Sequence, residues 1–409
     1  MLRNRAETEL LAELIEPLPA LERQLRSKFD CVASFTVGAE EELMLVDPAT
    51  FELTPAIGAA LGPLDGAGPI TTEFRASQVE LVSPVCIAAA DVARELVSLR
   101  RLASRRLVGV ARLLAAGAHP TATTPGPITS RPRYERIAAD HPLAAREMLT
   151  CGLHVHVAVS GADRALAVHN ALRSYLPEIL ALSANAPFQY GVDSGLATVR
   201  SHLNGLLPRF GAPPAFPSWS AYAEHVAWGR DGGAGPDPSF HWWDLRLHSG
   251  TGTIEVRVAD AQTRVEDTAA LIALVQSLVA YLANRYSDWE PLAVHPSERI
   301  TENLWLAARD GLNGSLVDLT TATPIPTSER LYGLVELLLP TAKRLGCEQE
   351  LLGVARIVLE GGGAAHQHEV ARSLGVSGLV RELVNQTCSV ITRPETIPDH
   401  GYQRLGLAA

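Results

Sequence analysis

The stretch VGAEEELMLV, residues 37–46, places three consecutive glutamates inside an otherwise apolar run. Its alternation and β-branched residues predict a β-strand, in which side chains two positions apart point to the same face. Glu40 and Glu42 should therefore share one face, and Glu41 should lie on the opposite face, paired or solvated. Two carboxylates on a sheltered sheet face need cations or hydrogen-bond donors, whereas on an exposed edge strand they are simply hydrated. This segment alone leaves both interpretations open.

Other predicted strands divide in the same way into an apolar face and a polar face. Their polar faces carry His154 and His156 in GLHVHVAVSG, Glu255 and Arg257 in GTIEVRVAD, Asp244, Arg246 and His248 in HWWDLRLHS, and Glu80 in VELVSP, with Glu73 one loop earlier. A salt-bridged surface hairpin explains the HWWDLRLHS group equally well, and a histidine on a strand is more often structural than a ligand. If these strands form one sheet, its polar face suits Mg²⁺ or Mn²⁺, with arginines that bind anionic oxygens.

Composition restricts the class of protein. The chain has 409 residues and a net charge of -10, which disfavours nonspecific binding to nucleic acid or to an anionic membrane. Its five cysteines are scattered and include no CxxC pair, so the sequence predicts a reducing, cytoplasmic location. The N-terminus does not resemble a secretory signal, and no uninterrupted apolar run is long enough to span a bilayer.

The order of the predicted elements indicates an α+β fold with a largely antiparallel sheet. We predict a helical arm over residues 1–30, a single catalytic domain over 31–395 and a tail over 396–409. Within that domain the strands lie mostly within 31–260, and 265–395 is helical. Residues 89–117 predict one long amphipathic helix with its arginines in solvent, residues 163–186 predict another helix, and the polar, proline-rich segment 119–136 is typical of a lid or binding loop.

The ordered motifs resemble those of the carboxylate–amine ligases related to bacterial and plant glutamate–cysteine ligase. They are VGAEEELMLVD, VELVSP, GLHVHVAVSG, LPEILALSANAPFQYGVDSGLATVR, HWWDLRL, GTIEVRVAD and ENLWLAARDGL. The resemblance runs from about residue 34 to the C-terminal helices. It implies a glutamine-synthetase-like fold, in which a curved antiparallel sheet covered by helices forms a funnel for ATP, metal and substrates.

The resemblance also implies a reaction and a set of site residues. ATP phosphorylates a carboxylate, usually the γ-carboxylate of glutamate, and an amine such as cysteine attacks the acyl phosphate to form an amide. The implied metal ligands are Glu40, Glu42, Glu80, His154 and Glu255, with Glu73 as a further acid and His156 behind the ligands. Arg257 and Arg200 resemble the anion-binding arginines, and with Arg246 they are the expected nucleotide-binding residues. The expected partners are small-molecule substrates and a second copy of the chain.

The sequence departs from the family pattern at Ala39, Ala158 and Gln189 and in the segment SHLNGLLPRFGAP, where tryptophans are usual. These departures predict a different acceptor pocket rather than a different reaction. Two alternatives come from other classes. A metal-dependent hydrolase would use the HxH strand and the carboxylates to activate water, and a pseudoenzyme would keep the fold without catalysis.

Overall fold

The computed structural model describes residues 18–62, 68–235 and 237–389. Its main sheet has seven strands: β1 (Val37–Val46), β2 (Ile70–Thr72), β3 (Gln78–Val82), β4 (Arg112–Leu114), β5 (Gly152–Ala158), β8 (Leu245–His248) and β9 (Thr253–Asp260). The order across the sheet is β2-β3-β1-β5-β9-β8. Strand β4 pairs with the C-terminal end of β1. All these pairings are antiparallel, which confirms the predicted class of fold. A two-stranded pair, β6 (Phe188–Gln189) and β7 (Val192–Asp193), lies outside this sheet.

The strand register brings the predicted polar residues side by side. Glu42 lies opposite Glu80, and Glu40 lies opposite His154. His156 lies opposite Glu255 of the next strand. Directly paired residues of antiparallel strands have their Cβ atoms within about 5.5 Å, so these side chains are in reach of one another. The edge-strand interpretation of Glu40 and Glu42 is wrong, because β1 is a central strand with neighbours on both sides.

The opposite face of the sheet is apolar and packs against helices. Leu43, Leu81, Val155 and Val256 are buried there in one large hydrophobic cluster. The helices of the described residues are α1 (Leu18–Arg26), α2 (Ile57–Leu61), α3 (Ala89–Arg106), α4 (Pro132–Asp140), α5 (Pro142–Glu147), α6 (Ala162–Leu172), α7 (Leu176–Ser183), α8 (Arg200–Asn204), α9 (Trp219–Asp231), α10 (Val265–Ser287), α11 (Ser297–Asp310), α12 (Thr327–Leu345), α13 (Glu348–Glu360) and α14 (Gly362–Ser389).

Helix α10 is the central helix of this layer. By length and composition it is the one helix of the described ranges that is apolar enough to cross a membrane, and 83% of its most apolar window is buried inside the protein. Burial of that kind is typical of a core helix. Residues 265–389 are mainly helical, as predicted, apart from a small hairpin of β10 (Ser315–Val317) and β11 (Pro324–Pro326).

Two predicted helices differ from the helices in the structure. The helix predicted over 89–117 ends at Arg106, and Arg112–Leu114 form strand β4 instead. The helix predicted over 163–186 is divided into α6 and α7 by a 3₁₀ turn at Arg173–Tyr175. In both cases the apolar periodicity continues through the break because the chain remains in the core, so periodicity alone did not locate it.

The arginines of α3 do not all lie in solvent. Arg100 is fully buried, and its guanidinium makes a two-point ion pair with Glu41 at 2.6 and 2.8 Å. It also donates to the carbonyl oxygens of Gln262 and Thr263. Thr268 donates to the same carboxylate at 3.2 Å. Glu41 is thus paired as predicted, but it is buried among apolar residues rather than solvated.

The division of the chain into an arm, a catalytic domain and a tail stays a prediction. Residues 1–17 of the predicted helical arm and the whole predicted tail lie outside the described residues. The described part of the arm belongs to the main core, because Leu21, Leu25 and Phe29 are buried in the same cluster as the sheet.

Candidate active site

The polar face of the sheet forms the floor of a cavity of about 270 Å³. Helix α4 and the loops before β8 form its walls. The lining residues are Glu40, Glu42, Glu73, Phe74, Gln78, Glu80, Arg133, Tyr134, Ile137, Ala144, Met148, Thr150, His154, Arg200, Asn204, Leu207, Phe210, Ser239, Trp242, Asp244, Arg246 and Arg257. Eight of the nine residues expected to bind metal or anions therefore lie on one cavity, and Glu255 lies directly behind it in contact with Arg246 and Arg257.

His154 joins two groups of carboxylates at the centre of the floor. Its Nδ1 lies 3.2 Å from Glu40 Oε2, and its Nε2 lies 3.6 Å from Glu42 Oε1. Potential ligand atoms lie within 4.8 Å of one another in two sets, Glu40 with His154 and Glu255, and Glu42 with Glu80 and His154. Carboxylate oxygens with one imidazole form a hard donor set, which suits Mg²⁺ or Mn²⁺ better than a soft metal.

The acids of the floor have opposing pKa shifts. Burial and the charge of Glu42 raise the pKa of Glu73 to about 8. Burial and the neighbouring glutamates raise the pKa of Glu80 well above its ordinary value. Burial also disfavours the charged form of Glu40, but hydrogen bonds with His154 and His156 outweigh it and lower the pKa of that carboxyl. The floor thus holds more acidic groups than its own cations neutralise, which is the condition that a bound metal relieves.

Glu255 is already neutralised by protein groups. Burial opposes its ionisation, yet Arg257 and Arg246 hold its pKa well below the ordinary range. Arg246 donates to both of its oxygens at 2.7 and 3.0 Å, and Arg257 donates to one of them. Since both arginines donate hydrogen bonds to this carboxylate, Glu255 orients them. Glu255 also lies beside the predicted metal ligands Glu40 and His154.

Arg200 lines the cavity, and backbone carbonyl oxygens of β9 hold its guanidinium group in place. Its terminal nitrogens donate to the carbonyl oxygens of Val258 and Arg257, each at 3.1 Å. A Cβ atom at Gly152 would lie 2.3 Å from the guanidinium, so a glycine is required there for this arginine to fit. Within the described part of the chain, Arg200 Nε is buried and has no hydrogen-bond partner.

The segment 119–136, predicted as a lid or binding loop, contributes to the wall. Its residues Arg133 and Tyr134 lie at the start of α4 and line the cavity. Buried Arg75 fixes the surrounding chain by donating to the carbonyl oxygens of Gly126, Ala145 and Met148. These hydrogen bonds connect the cavity wall to the loop between β2 and β3, which contains Arg75.

Comparison with known proteins shows which family has these features. A family model described as glutamate-cysteine ligase family 2 matches residues 36–386. The chain belongs to glutamate–cysteine ligase family 2. A Rubrobacter xylanophilus protein with the provisional name glutamate–cysteine ligase 2-3 is 40% identical over 372 residues, covering 89% of this chain and 100% of its relative. A Mycolicibacterium smegmatis protein of the same provisional name is 38% identical, covering 81% of this chain and 92% of its relative.

Solved structures share the fold of this family 2 ligase. A glutamate–cysteine ligase from Francisella tularensis, determined in complex with AMP, has a TM-score of 0.63 at 15% identity and covers 87% of this chain and 92% of that chain. A bifunctional glutathione synthetase from Pasteurella multocida has a TM-score of 0.59 at 14% identity, with 90% of this chain and 54% of that chain covered. The family is one of amide-forming ligases, so the hydrolase alternative is not retained.

Several lining residues of the family 2 ligase were not identified as site residues from its sequence. Asn204, Leu207 and Phe210 come from the segment that departs from the family pattern, which indicated a changed pocket but no particular residue. Arg133 and Tyr134 come from the predicted lid. Asp244 was grouped with Arg246 by strand parity, but a surface hairpin explained that group equally well. Among the described residues Asp244 is only 5% exposed, so the surface interpretation is wrong for it.

The raised pKa values predict how the stability of the ligase depends on pH in the absence of metal. Glu73 has an ordinary pKa of 4.5 and a folded-state pKa of about 8. A carboxyl with a raised folded-state pKa stabilises the fold at low pH, and this contribution is lost as the pH rises through the folded-state value. In EDTA, the melting temperature should therefore fall between pH 4.5 and about 8 through the contribution of Glu73.

Mg²⁺ should raise the melting temperature more at the alkaline end of this window than at the acidic end, because the cation favours the ionised carboxylates. Glu73→Gln should flatten the slope measured in EDTA, whereas Glu52→Gln on the exposed turn after β1 should leave it unchanged. An Mg²⁺ effect that is equal across the window would contradict the prediction.

Proposed function

We propose that the protein is an ATP-dependent ligase that converts a substrate carboxylate to an acyl phosphate and then joins it to an amine as an amide. The observation that carries this proposal is the convergence of four glutamates and His154 on one cavity that is also lined by Arg200, Arg246 and Arg257. Membership of a ligase family supports the reaction class. The AMP bound by the Francisella tularensis ligase of similar fold supports the use of an adenine nucleotide.

The donor set fits Mg²⁺, with Mn²⁺ as an alternative of similar ligand preference. We propose Glu40, Glu42, Glu80 and His154 as ligands, with Glu73 and Glu255 as further acids of the site. Support comes from the raised pKa values of Glu73 and Glu80, which reflect burial and the repulsion of neighbouring glutamates. A divalent cation bound there neutralises charge on phosphoryl oxygens.

The three arginines are proposed to bind anions. Arg257 and Arg200 would contact the transferred phosphoryl group or the substrate carboxylate, and Arg246 would act with them on the nucleotide phosphates. Arg200 lines the cavity beside Arg246 and Arg257. Arg257 and Arg246 share Glu255, which holds both guanidinium groups at the cavity without reorganisation during the reaction. Positioning of the reactants by fixed groups is the main contribution that a protein makes to phosphoryl transfer.

We propose the γ-carboxylate of glutamate as the activated group and cysteine or another amino acid as the amine. The cavity wall combines Asn204 and Asp244 with the apolar side chains of Leu207 and Phe210. This segment is where the sequence departs from the family pattern, so it is the part of the site that would select a particular amine.

We also propose a cytoplasmic location. All five cysteines are free, although two of them, Cys151 and Cys347, are buried and therefore protected. Free thiols persist where the environment is reducing. Assembly with a second copy of the chain stays a prediction.

The proposal is tested by incubating the purified protein with ATP, Mg²⁺, glutamate and a panel of amines. We expect amine-dependent release of ADP and phosphate, together with a product whose mass is that of the two substrates less water. Arg257→Gln should reduce this release strongly, and Arg105→Gln, an exposed arginine on α3, should not. If ATP does not bind and no pair of carboxylate and amine yields ADP, the chain is a pseudoenzyme or acts on another substrate class.

A further inference from the structure

Asp244 is a buried carboxylate at the cavity, and no side chain among the described residues forms an ion pair with it. It lies just before β8, on the same strand face as Arg246, and is 5% exposed. Among the described lining residues it is the only acid besides the four glutamates of the floor. It belongs to neither set of potential metal ligands.

Two hydrogen bonds hold the backbone of Asp244, but its side chain has no hydrogen-bond partner among the described residues. Its amide donates to the carbonyl oxygen of Gly211 at 2.9 Å, and its carbonyl oxygen accepts from the amide of Arg257 at 2.8 Å. Within the described ranges, the side-chain oxygens accept no hydrogen bond from protein. A buried carboxylate without a donor is costly, so a ligand that supplies one would be bound favourably.

The two neighbouring arginines do not donate to Asp244 and have other partners. Arg200 and Arg257 are near enough to act on Asp244 through their charge. However, Arg257 donates to Glu255, and the terminal nitrogens of Arg200 donate to backbone carbonyl oxygens. The positive charges of Arg200 and Arg257 therefore partly offset the negative charge of Asp244. The carboxylate oxygens of Asp244 remain open to the cavity.

Of the three reactants in the proposed reaction, ATP and the substrate carboxylate are anionic at the reacting atoms, and the amine arrives as a cationic ammonium. We infer that Asp244 binds the ammonium group of the acceptor amine and removes its proton. This inference rests on the proposed function. Burial raises the pKa of Asp244 to about 6, against the charges of Arg200 and Arg257, which is consistent with a carboxylate that accepts a proton more readily than an exposed one.

Formation of the amide requires the ammonium group to lose two protons. One N–H bond of the ammonium breaks and its proton passes to a carboxylate oxygen of Asp244. The freed nitrogen lone pair attacks the acyl carbon, the C–N bond forms, and the C–O bond to the phosphoryl group breaks. A second proton leaves the nitrogen with the departing phosphate, and Asp244 later releases its proton to solvent.

The test compares two nucleophiles on Asp244→Asn. Hydroxylamine is largely uncharged at neutral pH, so it needs no base, whereas an amino-acid amine does. With ATP, Mg²⁺ and glutamate, the variant should lose about a hundredfold or more of its turnover with the amine, while hydroxamate formation with hydroxylamine stays within about threefold of wild type. Asp288→Asn, an exposed aspartate at the end of α10, is the matched control and should match wild type with both nucleophiles.

Failure of the proposed ligase function and failure of the role of Asp244 give different results. If wild-type protein forms neither amide nor hydroxamate, the proposed ligase function fails. If wild type is active and Asp244→Asn loses both reactions equally, or loses neither, the role of Asp244 is wrong. A rise in the KM of glutamate alone would instead assign Asp244 to the carboxylate substrate and would also overturn the inference. If Asp244→Asn does not fold, Asp244→Ser is tested in the same way.

Discussion

Replacing Arg100 by methionine should lower the free energy of unfolding by about 3–5 kcal/mol, because it leaves a charged Glu41 without its partner in the core. Both side chains are fully buried, and their two hydrogen bonds measure 2.6 and 2.8 Å. Removing one member of such a pair costs more than the pair contributes, since the remaining charge is neither hydrated nor neutralised. Urea denaturation followed by circular dichroism measures the effect.

Two further variants show whether the isolated charge is the cause. Arg105→Met removes an exposed arginine from the same helix and should change the free energy of unfolding by less than about 0.5 kcal/mol. The double variant Arg100→Met/Glu41→Leu should recover much of the lost stability, because it removes both charges together. Recovery should be incomplete, since Arg100 also donates to the carbonyl oxygens of Gln262 and Thr263. An Arg100→Met protein as stable as wild type would contradict the buried ion pair.

Glu42→Gln should reduce ligase turnover by about a hundredfold or more while leaving the melting temperature near that of wild type. Glu42 lies beside His154 and opposite Glu80 on the cavity floor, and it accepts a hydrogen bond from the Gly152 amide at 2.5 Å. Glutamine has nearly the same volume and keeps an oxygen for that amide. It removes the charge that the proposed metal would need, so catalysis should suffer more than folding.

The measurement is amine-dependent ADP release at saturating ATP, with the Mg²⁺ concentration varied. Glu52→Gln, on the exposed turn after β1, removes the same charge from the surface and should behave as wild type. Activity of Glu42→Gln equal to wild type at every Mg²⁺ concentration would show that this carboxylate does not hold the metal.

The contrast between Glu41 and Glu42 revises one expectation from the sequence. Because the sequence places Glu41 on the face away from the predicted metal ligands, it predicts that replacing Glu41 matters least among the three consecutive glutamates. For catalysis by the folded protein that remains a prediction. For stability the order is reversed, because Glu41 is the one glutamate of the three that is held in the apolar core by a fully buried arginine. Strand parity identified its face correctly, but it did not indicate that a helix would supply a cation there.

Local sequence patterns correctly predicted the faces of the strands. The alternation within each strand separated Glu40 and Glu42 from Glu41, and it placed His154 on the polar face. Motif order then indicated the family, which the match over residues 36–386 confirms. Element ends were less well predicted, as at α3, because apolar periodicity continues wherever the chain stays in the core.

The sequence by itself thus determined the class of fold, the family and the faces on which the polar side chains lie, because side-chain alternation in a strand is a property of the local backbone. Only the tertiary structure decided that Glu255 engages both Arg246 and Arg257, that Arg100 reaches Glu41, and that Asp244 faces the cavity without a partner. These facts depend on the strand register, including the shift between Leu153 and Val155, and on contacts between residues far apart in the chain. No local pattern encodes such contacts, since each forms only when the sheet and its helices pack together.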